Sequence, residues 1–135
     1  MSPTLSALVA FSVWTGLLVF GLANLRIFIA RSQGKELNTF RPDGTDLEGL
    51  GNRWTRAHLN CLEFLPIFGV VALSAVASGN AAVTDGLAWV VFYLRLGQSV
   101  AHMASTSVPF VLIRATLFVG QLLIVLNWAR QLLMS

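Results

Sequence analysis

The chain has 135 residues, of which 56% are hydrophobic and only 11% charged, with nine Lys and Arg against six Asp and Glu. A soluble domain carries about a quarter of its residues as charges, so a water-solvated surface is excluded and a membrane protein is indicated. The net charge of +3 is not gathered into a Lys/Arg-rich run interleaved with aromatics, which excludes a nucleic-acid partner, and a lone Cys61 excludes both an intramolecular disulfide and a cysteine-built metal site.

The first predicted element is an apolar helix from about residue 5 to 30. No Lys or Arg precedes it, it is longer than the apolar core of a signal peptide, and no clear cleavage site follows, so it reads as a retained transmembrane helix. The segment "SQGKELNTFRPDGTDLEGLGN", residues 32–52, is the one long polar loop, and its "PDGTD" is turn chemistry. A second helix is predicted over about 53–78, apolar from Ala57 onward. After the short link "SGNAAVTD" a third is predicted over about 85–106, and after "STSVP" a fourth over about 109–133. Each has the roughly 20 residues that cross a hydrocarbon core of about 30 Å. Short links force antiparallel neighbours, so the fold class is all-α: one domain, residues 1–135, forming an integral membrane four-helix up-down bundle.

Arg31, Lys35, Arg41, Arg53 and Arg56 flank or occupy the long loop, and Arg114 lies near the third link on the same side. The opposite side has only Arg130. The excess of Lys and Arg assigns the loop to the cytoplasm and both termini to the other side. The absence of an ER-retention signal points to a bacterial inner membrane.

Charged groups at bilayer depth cost about 2.5–3.5 kcal/mol each on insertion scales, yet Arg26, Glu63, Arg95, His102 and Arg114 lie in or near the spans. Asn24, Asn60, Gln98 and Gln121 accompany them. At the helical period, Arg53, Arg56, Asn60 and Glu63 form one stripe on the second helix, whereas His58 and Cys61 point away. Arg95, Ser99, His102 and Thr106 form another stripe on the third helix. Arg56, Asn60, Glu63, His102 and Arg114 fall at one depth near the loop end, with Arg95 deeper. Two readings follow. Glu63 can be a buried salt-bridge partner of Arg114 or Arg95 that binds nothing. Alternatively, surplus guanidinium groups around one carboxylate receive an anionic ligand. A small zwitterion with more than one carboxylate fits the second reading, with Glu63 and Asn60 accepting its ammonium or amide. Arg95 is either part of that site or purely structural. His102 is either a proton carrier or a neutral cross-helix partner. His58 is placed at an interface or headgroup level, Cys61 in packing, and Trp14, Trp54, Trp89 and Trp128 at interfaces or in packing.

The stretch "RWTRAHLNCLEFLPIF" resembles the signature of the MAPEG family, membrane-associated proteins in eicosanoid and glutathione metabolism, through Arg53, Arg56, Ala57, Asn60, Glu63 and Pro66. "LRIFIAR", ending at Arg31, resembles the family's first-helix exit. "SVAHMAST" resembles the third-helix segment of its prostaglandin E synthase branch, with His102 on the histidine. "IRATLF" resembles the fourth-helix start, with Arg114 on the catalytic arginine. The resemblance covers nearly the whole chain and implies a homotrimer that binds glutathione at subunit interfaces. In such a site Arg31, Arg56, Asn60, Glu63 and His102 hold the tripeptide, and Arg95 is a further candidate. Arg114 stabilises the thiolate. Departures stand at Thr106 and Phe118, where several members have tyrosine, at Ser99 in place of an arginine, and at Ala115 in place of a serine.

The leading expectation is therefore a glutathione transferase-like membrane enzyme acting on hydrophobic electrophiles delivered from the bilayer, with peroxidase activity as a further capability. A non-catalytic lipid- or glutathione-binding protein of the same fold is the alternative. A transporter is disfavoured because the polar stripes cluster toward one side.

Overall fold

The computed structural model describes residues 1–135 and consists of helices, turns and loops without a strand. Helix α1 spans Pro3–Gln33 and α2 spans Leu50–Ala77. A single turn, α3, spans Ala82–Asp85, α4 spans Ala88–Ala104 and α5 spans Val108–Leu133. Between α1 and α2 lies a short 3₁₀ turn, Leu37–Thr39.

Local chemistry sets several of these ends. The Ser2 hydroxyl accepts from the Leu5 amide at 3.3 Å, and Pro3 occupies the first turn of α1, where no amide donor is needed. Gly34 closes α1 in the left-handed conformation, φ +67°. The helix expected from residue 85 divides instead: Leu87 has φ −119° and ψ 2°, which separates the α3 turn from α4.

Helices α1, α2 and α5 are each long and apolar enough to cross a membrane. With 17 residues, α4 is about 25 Å long, short of a 30 Å core. It buries more polar side chains than any other helix, Arg95, Gln98, Ser99 and His102. Its polar face turns inward against α1, α2 and α5, with α5 packed mainly on α4, while Val90, Tyr93 and Val100 stay exposed on the opposite face.

The apolar interior runs through Phe11, Cys61, Phe64, Phe68, Val91, Val125 and Trp128, all inaccessible or nearly so. The outward faces of α1 and α5 carry Val13, Leu17, Phe20, Leu112, Leu123 and Leu126. Lipid tails compete equally well for such side chains, so the bundle depends on close packing and cross-helix hydrogen bonds. Trp54 on α2 provides both: its indole Nε1 donates to the Leu18 carbonyl at 2.9 Å, and its ring lies over Gly21. A Cβ on Gly21 would stand 2.3 Å from the Trp54 ring. Gly21→Ala should therefore displace Trp54 and break its bond to Leu18, at a cost of about 1–3 kcal/mol. A lower thermal midpoint in detergent, with altered tryptophan fluorescence, checks this; an unchanged midpoint contradicts it.

Candidate functional site

The second turn of α2 onward presents Arg56, Asn60 and Glu63 on one face at the loop end of the bundle. These three, with His102 of α4 and with Asp43, Thr45 and Asn52, line an open hollow of about 320 Å³. A second hollow of about 260 Å³ adjoins it and shares Arg56, Asn60 and His102. Arg114, Gln98, Val111, Ala115 and Phe118 complete its walls. Five of the residues singled out from the sequence thus meet around two connected hollows.

The loop contributes what periodicity could not reveal. Gly44 has φ +70°, and a Cβ there would lie 2.7 Å from the Thr55 side chain, so only glycine lets the turn press against α2. The Asn52 amide donates to the Gly44 carbonyl at 2.8 Å, which pins that turn. Lys35 Nζ donates to Asp46 Oδ2 at 2.6 Å, and the Arg41 amide reaches the same oxygen at 3.1 Å. These contacts carry Asp43 and Thr45 to the rim of the first hollow. The one signal in the sequence was the turn motif "PDGTD" itself, which gives a bend but not its destination.

Opposite charges share the hollows without touching. Neither Glu63 nor Arg56 has an oppositely charged partner within 4.0 Å; the ion pairs of the chain are Lys35–Asp46 and the looser Arg41–Asp43 at 3.8 Å. The salt bridge from Glu63 to Arg114 or Arg95 is not formed. The cationic surplus is smaller than the sequence suggested, because Asp43 adds a second carboxylate to the walls. In addition, Arg53 turns aside: its Nε donates to the Met103 carbonyl at 2.8 Å, where the C-terminal end of α4 favours a cation.

Two other cations also lie away from the hollows. Arg31 is exposed at the end of α1 and lines neither. Arg95 is 1% exposed and likewise lines neither. Its guanidinium sits 4.6 Å from the Phe64 ring centre and 5.5 Å from that of Phe11, a cation–π setting. Its Nη1 donates to the side-chain oxygen of Asn60 and, at 3.3 Å, to the Asn60 carbonyl. Gln98 Nε2 also donates to that oxygen, at 2.9 Å, so within the chain the Asn60 side-chain oxygen accepts from both Arg95 and Gln98.

His102 is 7% exposed, and its Nδ1 lies 3.1 Å from Arg114 Nη1. A guanidinium has only donors, so Nδ1 must accept and the proton of the neutral ring resides on Nε2. That contact fixes Arg114 at the mouth of the second hollow. Cys61 is wholly buried; its sulfur lies 3.4 Å from the Ser99 hydroxyl, which also accepts from Trp14 Nε1 and donates to the Arg95 carbonyl. His58 is half-buried on the face of α2 away from both hollows. No cluster of His, Cys, Asp and Glu suited to a metal ion is present.

Compared with known families, the chain matches the family model described as MAPEG family over residues 4–134. No curated protein and no solved structure gives a significant match.

The loop wall makes a pH-dependent prediction. The Lys35 ammonium holds the Asp46 carboxyl below its ordinary value of 3.8, and the Thr45 amide and hydroxyl do the same for Asp43. A carboxyl depressed by folding contributes order that is complete above its ordinary value and is lost as pH falls through the depressed one. Loop order should therefore be constant across neutral pH and decline only in strong acid. Asp46→Asn should remove the anchor at neutral pH, free its partner Lys35, and speed tryptic cleavage after Lys35 severalfold; an unchanged cleavage rate contradicts the anchor.

Proposed function

The chain belongs to the MAPEG family, and from that premise we propose that it is a glutathione-dependent membrane enzyme which transfers the glutathione thiolate to hydrophobic electrophiles. Family membership and the apolar helices make it an integral membrane protein of the glutathione and eicosanoid metabolism type. The finer reading is carried by one observation: two carboxylates and two guanidinium groups line connected hollows without pairing across them. Charges of both signs left apart around one space suit a ligand that itself carries an ammonium and carboxylates. Glutathione is such a zwitterion.

In this reading Asp43 and Glu63 receive the ammonium and Arg56 pairs with a carboxylate. His102 and Arg114 close the far end. A thiol with a pKa of about 8.5 is mostly protonated at neutral pH, and a guanidinium beside it lowers that value. Arg114 faces the hollow walled by Val111, Ala115 and Phe118, the apolar side from which a lipid-borne substrate would approach. The sulfur then forms a bond to the electrophilic carbon, and the leaving group departs with the bonding pair. A peroxide is a second class of acceptor: the thiolate takes one oxygen, an alcohol leaves, and a second glutathione completes the disulfide and releases water.

The active unit in this reading is a homotrimer in a bacterial inner membrane, with the loop and site at the cytoplasmic face and the termini opposite. Arg31, which lines neither hollow of its own chain, would then serve a site shared with a neighbouring subunit. A second reading, a binding protein without turnover, is favoured by Ala115 and Phe118, which bring no hydroxyl to the hollow beside Arg114.

A conjugation assay in detergent with a generic aromatic electrophile separates the two. The enzyme reading predicts turnover above the uncatalysed rate. It also predicts that Arg114→Ala lowers kcat about 10²-fold, the cost of losing one electrostatic stabiliser, and abolishes thiolate absorbance while the protein stays folded. Binding without turnover would select the second reading.

A further inference from the structure

Behind the shared wall of the two hollows runs a relay of buried amides whose polarity is set at both ends. Gln121, wholly buried on α5, donates from Nε2 to the Leu117 carbonyl at 2.9 Å. A carbonyl only accepts, so this contact fixes which end of the Gln121 amide is nitrogen. The same Nε2 donates to Gln98 Oε1 at 2.9 Å. Gln98, 2% exposed, must then turn its own Nε2 outward, and it donates to Asn60 Oδ1 at 2.9 Å. From the other side Arg95, which has no acceptor, places Nη1 on the same Oδ1. Two independent anchors, a main-chain carbonyl and a guanidinium, thus demand the same orientation of Asn60. Its Nδ2, with two N–H groups, has no partner in the chain, and the residue borders both hollows.

We propose that Arg95, Gln98 and Gln121 are positioning residues that lock the Asn60 amide with Nδ2 toward the hollow, so that this position admits only a hydrogen-bond acceptor, a carboxylate or carbonyl oxygen, of the bound molecule. The proposal rests on the hollow being the glutathione site. An unlocked asparagine would present either end of its amide and discriminate little. A locked one rejects an ammonium or N–H, because two donors would face each other with Oδ1 already occupied. The neighbouring groups agree in sign: Arg56 has only donors, and His102 keeps its proton on Nε2 because Arg114 occupies Nδ1. The donors Arg56, Asn60 and His102 border both hollows, while the acceptors Asp43 and Glu63 line the first.

The test combines binding with a spectroscopic signature in the full-length protein. Asn60→Asp replaces the outward amide nitrogen with oxygen and gives Arg95 a carboxylate partner, so the variant should fold. Its glutathione affinity should fall roughly tenfold or more, the worth of one hydrogen bond to a charged group. In protein carrying ¹⁵N at its Asn and Gln side chains, the Asn60 amide protons should exchange with water quickly and those of Gln98 slowly. Arg95→Met, or Gln98→Met should the first not fold, should broaden the Asn60 amide signals as the group gains a second orientation, and should weaken glutathione binding severalfold. Slow exchange at Asn60 with fast exchange at Gln98, or an Asn60→Asp variant that binds glutathione as tightly as the native chain, would overturn the relay. Failure of the native chain to bind glutathione would sink the functional reading instead, and the amide spectrum would still decide the relay.

Discussion

Arg95 lies at the centre of the bundle with its charge met by the Asn60 oxygens and two phenylalanine rings in place of a carboxylate. In a membrane interior, a donor without an acceptor costs more than in a protein surrounded by water. The chain meets that constraint in part, by turning the polar face of α4 inward, although Arg95 Nε and Nη2 stay without an acceptor. Short α4 carries Arg95, Gln98, Ser99 and His102 into the interior, and each finds a partner on another helix: α2 through Asn60 and Cys61, α1 through Trp14, α5 through Gln121 and Arg114. The polar layer therefore joins α1, α2, α4 and α5 behind the hollows.

That arrangement separates two jobs that charged residues perform here. Arg95 and Arg53 are committed inward, one to Asn60 and one to the end of α4. Arg56, Glu63, Asp43 and Arg114 are not committed to each other. Uncommitted charge near the end of a membrane bundle invites a charged ligand, and apolar Val111 and Phe118 beside Arg114 keep the lipid side of the same space greasy. A water-soluble zwitterion and a lipid-soluble partner can then meet without either leaving its own phase, which is the physical basis for the proposed transfer chemistry.

The bundle class was legible in the sequence because apolar runs with so few charges allow little else, and because short links oblige neighbouring helices to run antiparallel. The stripe of Arg56, Asn60 and Glu63 was legible for a second reason: helical periodicity places residues on a face without knowing what faces them. The same limit explains what was not legible. Periodicity put Arg95 on the correct stripe but could not say that it reaches Asn60 rather than the hollow. It placed Arg53 beside Arg56 but could not anticipate the Met103 carbonyl that draws it away. Asp43 and Thr45 belong to a loop whose path depends on Gly44 fitting against Thr55, a contact between distant positions that no local pattern encodes. The break at Leu87 was likewise not legible, because the run that follows Asp85 gives no local sign of where α4 begins.

The central claim is that the charges of both signs around the adjoining hollows, which do not pair with one another, constitute a receptor for an anionic thiol tripeptide. An experimental structure of the detergent- or nanodisc-embedded protein with glutathione tests it most directly. The account predicts the tripeptide spanning the two hollows, its ammonium at Asp43 and Glu63, a carboxylate at Arg56 and its sulfur beside Arg114. Hollows that stay filled only by water at saturating glutathione, or a tripeptide bound elsewhere on the bundle, would contradict it.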